Sequence, residues 1–393
     1  MKVLFITDRN LTHDVRIFQQ MYYAKNLMFI SDLVAIYDPW TKDIEPKHVK
    51  LVNPIHSYYI KPKSILSVLV KKISSFLWRL FPRNIYFAGM SLDTRSYQIW
   101  KHIKKIAKEY DLILGFGLFT LLPIYLASKK YNKTFGFDIA SFVAEKNVNL
   151  TDEQFHKIKF LLKNTLPSAL YLTYSSELIA QRLLKFLSNK PLPYNFPIAN
   201  SYDESFFSFR PSLSDRVEFV WLAQKIDFSV NLELVLPSLE KFRDRIRLNI
   251  FGQATERFKE IIFSRYKDFV VLHEALPVDK LIKKVAQFDI GLAVYITYVS
   301  PQKNYTLTNK VYLFAQSGLY TLATDTISHR IFYSEHPDLG KIVLPDIESL
   351  SLAIADVIQN IESLRQQKHT RYIYSKRFAW KYESQKLYSA WKK

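Results

Sequence analysis

The chain of 393 residues contains no cysteine and only eight glycines. Without cysteine it has no disulfide framework, no thiolate nucleophile and no cysteine-ligated metal. No run of about 20 uncharged apolar residues occurs, so we expect no segment to span a membrane. The sequence has no Asp-x-Asp motif, and its first residues, MKVLFITD, lack the long apolar stretch of a signal peptide.

Positive charge is concentrated in the first half of the chain. Residues 1–200 hold 28 Lys+Arg against 14 Asp+Glu, a net charge of +14, whereas residues 201–393 hold 27 against 22, a net charge of +5. This excess is either an ordinary solvated surface or a surface that meets an anionic partner, such as a lipid headgroup or a phosphorylated acceptor. No recognised nucleic-acid motif accompanies it, so we expect no nucleic-acid partner.

Short apolar runs alternate with segments of helical periodicity along most of the chain. This alternation predicts two α/β domains, each a doubly wound parallel sheet covered by helices. The segment 195–215 is rich in Pro, Ser and Asn and predicts a linker, which gives domains over 1–200 and 201–375 and a terminal helix over 376–393. The predicted strands lie at 2–7, 32–38, 111–117, 134–140, 170–176, 219–223, 248–252, 269–274, 289–294 and 319–325.

Several stretches together carry a family resemblance. They include LTHDVRIFQQMYYAKNL near the start, the block 111–145, LHEALPVDKLIKKVAQFDIGLAV, LTNKVYLFAQSGLYTLATD and FAWKYESQKLY. In this order and spacing the chain resembles GT-B glycosyltransferases, most of all the retaining enzymes of glycosyltransferase family 4. The resemblance implies two Rossmann-like domains facing a cleft, with a C-terminal helix crossing back to the first domain. It also implies a nucleotide-diphosphate sugar as co-substrate, with no further cofactor.

The stretch after the predicted strand 289–294 is the candidate donor site. Thr306, Thr308 and Asn309 are candidate capping residues for a helix whose N-terminus would hold the donor diphosphate, and Lys310 would add a cation in its first turn. Gly318 would end this helix. An ordinary capped helix with a surface lysine is the alternative.

Four further residues are donor candidates with weaker support. Gln224 and Lys225 follow the first strand of the second domain, where Lys225 is either a second phosphate contact or a surface lysine. His273 and Glu274 lie where the family recognises the base, or are ordinary loop residues. The Glu with which the family grips the donor ribose aligns with Leu313.

The candidate acceptor residues lie in the first domain. They follow its strands, and Asp14 has the alternative role of capping the next helix. The His and Glu of the family's Asp-x-His-Glu motif align with Ala140 and Ser141, which indicates a divergent enzyme. The acceptor candidates are His13, Asp14, Arg16, Asp138 and Glu145.

The segment 64–81 combines apolar residues with Lys71, Lys72 and Arg79, in a region, 51–100, with seven basic residues and one acidic residue. Such a helix can lie in the interface of an anionic membrane. A core helix with a basic outer face is the alternative. We favour the interface, and expect a cytoplasmic protein associated peripherally with the inner face of the membrane.

These features predict a glycosyltransferase that extends a surface polysaccharide or a lipid-linked glycan. Lys310 and Lys225 would stabilise the leaving diphosphate in place of a metal. Same-face attack, as in retaining enzymes, needs no dedicated protein base. The alternatives are a non-catalytic GT-B-like subunit and a GT-B sugar epimerase, although the paired acid and base of an epimerase are not evident.

Overall fold

The computed structural model describes residues 1–140, 150–227, 232–295 and 301–392. The chain divides into two compact units. The first unit comprises Met1–Ala199 together with Glu383–Lys393, and the second comprises Asn200–Tyr382.

The first unit is built on a seven-stranded sheet of order β3-β2-β1-β4-β5-β6-β7, in which every neighbouring pair is parallel. Its central strands are mostly apolar and buried because helices cover both faces of a parallel sheet. Along β1, for example, every residue from Val3 to Thr7 is buried. The strands are β1 (Lys2–Thr7), β2 (Ile30–Ile36), β3 (Ser57–Ile60), β4 (Leu112–Phe116), β5 (Thr134–Ile139), β6 (Tyr171–Tyr174) and β7 (Asn195–Pro197).

The helices of the first unit connect these strands, with short 3₁₀ turns at several junctions. The chain from Glu383 onward also belongs to this unit, where the Trp391 indole donates a hydrogen bond to the Tyr171 hydroxyl at 2.7 Å. The helices are α1 (Val15–Asn26), α2 (Glu45–Val52), α3 (Ile65–Leu80), α4 (Ile85–Met90), α5 (Thr94–Ile106), α6 (Leu121–Tyr131), α7 (Asp152–Thr165) and α8 (Glu177–Phe186).

The second unit has a six-stranded sheet of order β10-β9-β8-β11-β12-β13, again parallel throughout. Its core includes the fully buried side chains of Phe219 and Ile250, from neighbouring strands of the sheet. The strands are β8 (Val217–Ile226), β9 (Ile246–Ala254), β10 (Val270–His273), β11 (Ile290–Ala293), β12 (Tyr320–Thr324) and β13 (Gly340–Val343).

The last helix in the chain, α17, begins in the second unit and ends in the first. Among the described residues, no helix is long and apolar enough to cross a lipid bilayer. The helices from residue 232 onward are α9 (Leu232–Glu240), α10 (Glu256–Arg265), α11 (Val278–Val285), α12 (Asn309–Gln316), α13 (Ile327–Glu335), α14 (Ile347–Gln359), α15 (Ile361–Gln366), α16 (Lys368–Tyr374) and α17 (Trp380–Trp391).

Each sheet has one point where the strand order reverses. It lies between β1 and β4 in the first unit and between β8 and β11 in the second. Ligands of open α/β sheets bind outside the carboxyl ends of the strands at this point. The predicted fold class, two doubly wound α/β domains, is confirmed.

Candidate functional site

In the second unit, Lys310 lies beside the switch point between β8 and β11. Its Nζ is 4.8 Å from the ring centroid of Trp221, on β8, and 5.3 Å from that of Tyr295, just after β11. Aromatic faces attract cations at such distances. Within the described residues, no carboxylate forms an ion pair with Lys310. The site therefore presents a cation at the sheet edge where a ligand of this fold is expected.

Burial, and to a smaller extent the charge of nearby Lys303, lower the pKa of the Lys310 ammonium from its usual 10.5 to about 7. Burial disfavours the charged form of any amine, and a like charge adds to that effect. A negatively charged ligand beside Lys310 would favour its charged form and so act against both effects.

The helix that begins beside Lys310 lacks the side-chain cap that the sequence predicted. Thr308 is the N-cap residue of α12, but its side chain makes no capping hydrogen bond. Instead the Thr308 hydroxyl is hydrogen-bonded to the Tyr295 hydroxyl at 2.6 Å. The hydroxyl of Thr306 donates to the carbonyl of Gln302. Neither threonine side chain therefore caps α12. The N–H groups at the positive end of the helix dipole receive no hydrogen bond acceptor from the N-cap residue Thr308.

The end of α12 follows the prediction. Gly318 has φ +76°. Its N–H donates to the carbonyl of Ala315 at 2.9 Å, and the N–H of Leu319 donates to that of Phe314 at 3.0 Å. These two bonds form a Schellman motif, which favours glycine because the backbone is left-handed at this position. Gly318 thus ends the helix and allows the chain to turn into β12.

The first residues of the second unit hold α12 in place. Asn200 donates from Nδ2 to the carbonyl of Leu307 at 2.7 Å, just before the helix. Asn309 donates from Nδ2 to the Tyr202 hydroxyl at 3.0 Å. The side chain of Gln316 bonds both the N–H and the carbonyl of Tyr202, each at 2.9 Å. Asn309 therefore positions the helix, a role that the predicted donor contact did not anticipate.

The other donor candidates occupy different surroundings. Gln224 and Lys225 lie on exposed parts of β8, and Lys225 forms an ion pair with Asp227 at 3.4 Å. His273 stacks on Phe251, with ring centroids 4.2 Å apart, and its Nε2 is hydrogen-bonded to Asn249 at 2.8 Å.

These neighbours give His273 a structural environment on β10, at the edge of the sheet. Its pKa is lowered by burial and by Lys284, so the ring is neutral near pH 7. Glu274 follows the end of β10 and is exposed. The structure does not bring His273 and Glu274 into contact with Lys310 through any described bond.

A buried histidine, His329, also lies near the carboxyl edge of the second sheet. The Nδ1–H of His329 donates to the carbonyl of Thr324 at 2.7 Å, and its ring lies 5.7 Å from that of Tyr295. Burial lowers its pKa to about 4, so it is neutral at physiological pH. Sequence reasoning missed His329, Tyr295 and Trp221 as site residues. A signal was available for two of them, because Trp221 lies on a predicted strand and Tyr295 directly after one, whereas His329 lies within α13.

In the first unit, Arg16 and Asp138 form a buried ion pair. The Arg16 Nε and NH2 donate to the two Asp138 oxygens at 2.8 and 2.7 Å, and NH1 donates to the carbonyl of Ile198 at 2.6 Å. The Thr173 hydroxyl also donates to Asp138. Arg16 and Asp138 are only 4% and 3% exposed. This geometry favours a bracing role between α1, β5 and the end of β7 over direct contact with an acceptor.

Asp14 is the N-cap of α1, as the alternative interpretation predicted. It accepts hydrogen bonds from the N–H groups of Arg16 and Ile17 at 3.2 and 3.3 Å. Burial and the nearby charge of Asp138 raise its pKa to about 6. Asp14 thus combines a capping role with a carboxyl group that titrates close to neutral pH.

The structure describes no side-chain contact for the remaining two acceptor candidates, His13 and Glu145. His13 ends a short 3₁₀ turn, but its side chain lies outside the described part of the structure. Glu145 lies outside the described residues altogether.

Asp8 was not predicted, although it directly follows β1 at the switch point of the first sheet. It is buried, accepts a hydrogen bond from the Phe119 N–H at 3.0 Å, and has a pKa raised by burial. Gly117, after β4, has φ +89°, and a Cβ there would come within 2.3 Å of the Asp8 carboxylate. Arg95 donates to the Asp8 carbonyl at 2.9 Å. An acidic group with basic neighbours therefore lies at this edge.

The helix α3 differs from the usual amphipathic helix in which of its side chains are buried and which are exposed. It buries Ser67, Ser74 and Trp78 against the unit. Most of its other large apolar side chains are exposed, where a soluble protein normally places polar residues. The exposed face of α3 thus carries large apolar side chains, which the alternative of a core helix with a basic outer face did not predict. The exposed fractions are 92% for Ile65, 50% for Leu69, 48% for Ile73, 62% for Phe76 and 57% for Leu80.

No cluster of three or more His, Asp or Glu side chains suited to hold a metal ion occurs among the described residues.

No family model matches the chain, and no curated protein sequence matches it. Solved structures do. HepE from Anabaena, in complex with UDP-glucose, matches with a TM-score of 0.70 and 10% identity, covering 100% of this chain and 99% of that one. Sucrose-phosphate synthase from Thermosynechococcus elongatus matches with a TM-score of 0.67 and 12% identity, covering 100% and 98%.

MnaA from S. aureus, solved with UDP, matches with a TM-score of 0.61 and 11% identity, covering 93% of this chain and 90% of that one. At these identities the likeness establishes the fold. The chain has the GT-B architecture of two parallel-sheet α/β domains along its whole length.

Proposed function

We propose that the protein is a glycosyltransferase that uses a nucleotide-diphosphate sugar as donor. The observation that carries this proposal is the position of Lys310, a cation held against Trp221 and Tyr295 at the switch point of the second sheet. The start of α12 adds backbone N–H groups and the positive end of a helix dipole, which together favour an anion. The fold is shared with HepE, which was solved with UDP-glucose.

In the proposed reaction, the glycosidic bond to the diphosphate breaks and the diphosphate leaves with increased negative charge. Lys310 and the start of α12 stabilise that charge, and Lys225 is a second, weaker candidate for the same role. The acceptor binds to the first unit, and its hydroxyl loses a proton to the departing phosphate oxygen. We infer retention of configuration from this same-face route and from the resemblance to family 4.

The proposal includes metal independence. Preorganised donors aimed at developing charge can supply the stabilisation that a metal ion supplies elsewhere. We therefore expect turnover to persist in EDTA, and a loss that Mg²⁺ or Mn²⁺ restores would contradict this part of the proposal.

We further propose that the acceptor is a surface polysaccharide or a lipid-linked glycan, reached at the inner face of the membrane. The outward apolar face of α3 supports this, since Lys71, Lys72 and Arg79 lie on the same helix. Basic residues beside an exposed apolar stripe are typical of helices that lie in an anionic interface.

A non-catalytic subunit of the same fold is the second candidate. Leu313, at the position of the family's ribose-binding Glu, is only 2% exposed and packs in the core. A buried leucine cannot accept hydrogen bonds from a ribose, so this donor contact must be replaced or lost.

The deciding experiment is a thermal-shift and turnover panel of UDP-, GDP-, ADP- and dTDP-sugars. A ligand that binds only the native protein raises its melting temperature. A shift with release of the nucleoside diphosphate would support the transferase, and a shift without release would favour the binding subunit. No shift with any donor would overturn the transferase and would agree with a subunit that has lost donor binding.

A further inference from the structure

A cavity of about 260 Å³ lies in the second unit, beside the carboxyl end of α12. Gln316, the last residue of α12, contributes to its wall, whereas Lys310 is the second residue of the same helix. At a rise of about 1.5 Å per residue, these two residues are about 9 Å apart along the helix axis. The cavity is therefore distinct from the site proposed for the donor.

The volume of the cavity limits what it can enclose. Pockets that bury drug-sized ligands usually measure about 300–1,000 Å³, so this cavity falls just below that range. It therefore fits a molecule with a single ring, and it is too small to enclose a whole nucleotide sugar. Its wall includes Phe207, Gln316, Tyr372, Ser375, Lys376 and Lys381.

Two aromatic side chains, Phe207 and Tyr372, give the cavity apolar walls. Phe207 packs edge-on against Tyr202, with ring centroids 6.4 Å apart, and Tyr372 packs against Phe209 at 5.9 Å. Aromatic rings attract one another in stacked or edge-on arrangements at about 4.5–7 Å between centroids. A planar ring in the cavity would therefore meet aromatic neighbours that the protein already holds in place.

The charged side chains of the wall leave one positive charge in excess. Lys381 forms an ion pair at 3.2 Å with Glu204, which also lines the cavity. The Lys376 ammonium lies 5.6 Å from the centroid of the Tyr372 ring, and no carboxylate in the described part of the chain forms an ion pair with it. Because opposite charges attract, the wall favours a ligand with a negatively charged group.

Two polar side chains of the wall are fixed by hydrogen bonds to the backbone. The Gln316 amide bonds both the N–H and the carbonyl of Tyr202, and the Ser375 hydroxyl donates to the carbonyl of Tyr372 at 2.8 Å. Gln316 and Ser375 are only 4% and 1% exposed. A wall that is fixed before the ligand arrives loses little conformational freedom on binding, which favours affinity.

We propose that this cavity is a second ligand site of the protein, which binds a small organic anion with one planar ring. The ring packs against Phe207 and Tyr372, and the anionic group lies toward Lys376. This site is independent of the proposed function, because it includes neither Lys310 nor the start of α12.

The test is a titration of the full chain with benzoate, followed by saturation-transfer difference NMR. Benzoate has one planar ring and one carboxylate. Benzyl alcohol keeps the ring without the charge, and acetate keeps the charge without the ring. We expect benzoate to bind with a Kd of about 1 mM, the scale of a small fragment, and the other two compounds to bind at least about tenfold more weakly.

Two variants test the two parts of the wall. Lys376→Glu reverses the charge of an exposed side chain and should weaken benzoate binding by at least about tenfold. Phe207→Leu removes one ring but keeps an apolar side chain, and should weaken binding by about fivefold. Lys267→Glu is the matched control, because it makes the same change of charge at an exposed lysine between α10 and β10. It should bind benzoate as the wild type does.

A third variant, Lys310→Met, places the binding in the cavity, because it should leave the affinity for benzoate unchanged. Loss of binding in Lys310→Met would mean that benzoate occupies the other site, and would overturn the proposal. Equal affinities of the wild type and Lys376→Glu would overturn it too, as would acetate that binds as tightly as benzoate. No binding of benzoate up to about 10 mM would mean that the cavity holds only solvent.

Discussion

The two units share one topology at their switch points but differ in charge. The second sheet gathers Lys303 and Lys310 beside aromatic rings, with no acid paired to Lys310 among the described residues. The first sheet places buried Asp8 and Asp14 there instead, each with a raised pKa. A common scaffold thus presents a cation at one edge and carboxyl groups at the other. Side chains after the strands, rather than the sheet, decide which ligand each unit can hold.

The polar groups also differ in how fully they are satisfied. Arg16 and Asp138 in the first unit use their charged atoms on each other and on Ile198 and Thr173. Lys310 in the second unit has only aromatic faces as described partners. Breaking a saturated buried pair is costly because it leaves one charge unpaired, whereas in the proposed function the unsaturated cation binds the ligand. Four predictions test this contrast.

The largest effect is expected from Arg16→Met. It leaves the Asp138 carboxylate buried without its partner, which costs about 3–5 kcal/mol of unfolding free energy. Urea denaturation of the full chain measures this loss. The double variant with Asp138→Leu should recover much of it, because an apolar pair leaves no unpaired charge. A loss under about 1 kcal/mol would show that the pair is not a brace, and would return it to the acceptor candidates.

The next effect compares two lysines of the second unit. Lys310→Ala should lower turnover by about 10²–10³-fold, the scale for removal of one preorganised stabiliser of developing charge. Lys225→Ala should stay within about fivefold of the wild-type rate, because Lys225 is 53% exposed in its side chain and paired with Asp227. Initial rates on the donor identified by the panel give both numbers. Equal losses of turnover would mean that Lys225 stabilises the leaving diphosphate as much as Lys310 does.

The third effect concerns α3, which is the proposed membrane-binding surface of the first unit. We propose no such surface for the second unit. Each Lys or Arg near an anionic membrane contributes about 1 kcal/mol, so replacing Lys71, Lys72 and Arg79 with Glu should weaken vesicle binding by at least 100-fold. Cosedimentation with anionic and neutral vesicles measures it. Binding of the wild type should be lost on neutral vesicles and at high salt.

A matched control is the triple Glu variant of Lys104, Lys105 and Lys108, which makes the same change of charge at the end of α5 and the turn after it. It should retain most of the binding. Equal weakening by both variants would mean that net charge alone attracts the protein. Binding of the wild type to neutral vesicles would mean that the exposed apolar face acts without the lysines.

Much of the fold was readable because its strands are short, apolar and separated by helical periods. Every predicted strand appears in the structure. The sequence did not reveal β3, β7 and β13, which lie at the sheet edges and carry fewer buried residues. An edge strand pairs on one side only, so its composition is less constrained and its signal is weaker.

The site was harder to read because it depends on which strands become neighbours. Lys310 was predicted from its place at a helix start, a local feature. Trp221 and Tyr295 are 74 positions apart in the sequence, and only the pairing of β8 with β11 brings them to one lysine. Asn309 and Thr308 were predicted as donor contacts or capping residues. Asn309 bonds Tyr202, and Thr308 bonds Tyr295 and makes no capping hydrogen bond. Local patterns cannot specify such long-range partners.

The smallest effect is expected from Asp14→Asn, and it tests whether the carboxyl groups of the first unit are a cost to its stability. In the folded protein the Asp14 pKa is raised to about 6, from 3.8, by burial and by Asp138. The folded state therefore holds more protons than the unfolded state between those values, and stability falls as pH rises through that range. Above pH 6 the buried Asp14 charge lowers the free energy of unfolding by its full amount. Below about pH 4 Asp14 is protonated in both states, and this loss of stability is absent.

Asparagine caps a helix about as well as aspartate, so Asp14→Asn should keep the bonds to the N–H groups of Arg16 and Ile17 while removing the charge. We expect the variant to melt a few degrees above the wild type at pH 7.5 and at the same temperature at pH 4. Asp152→Asn, on the exposed first turn of α7, is the control and should show no such trend. A variant that is less stable than the wild type at pH 7.5 would show that the Asp14 charge is a net asset to α1. The Asp14 carboxylate would then stabilise the first unit. It would no longer be comparable to Lys310, which we expect to lower the stability of the second unit.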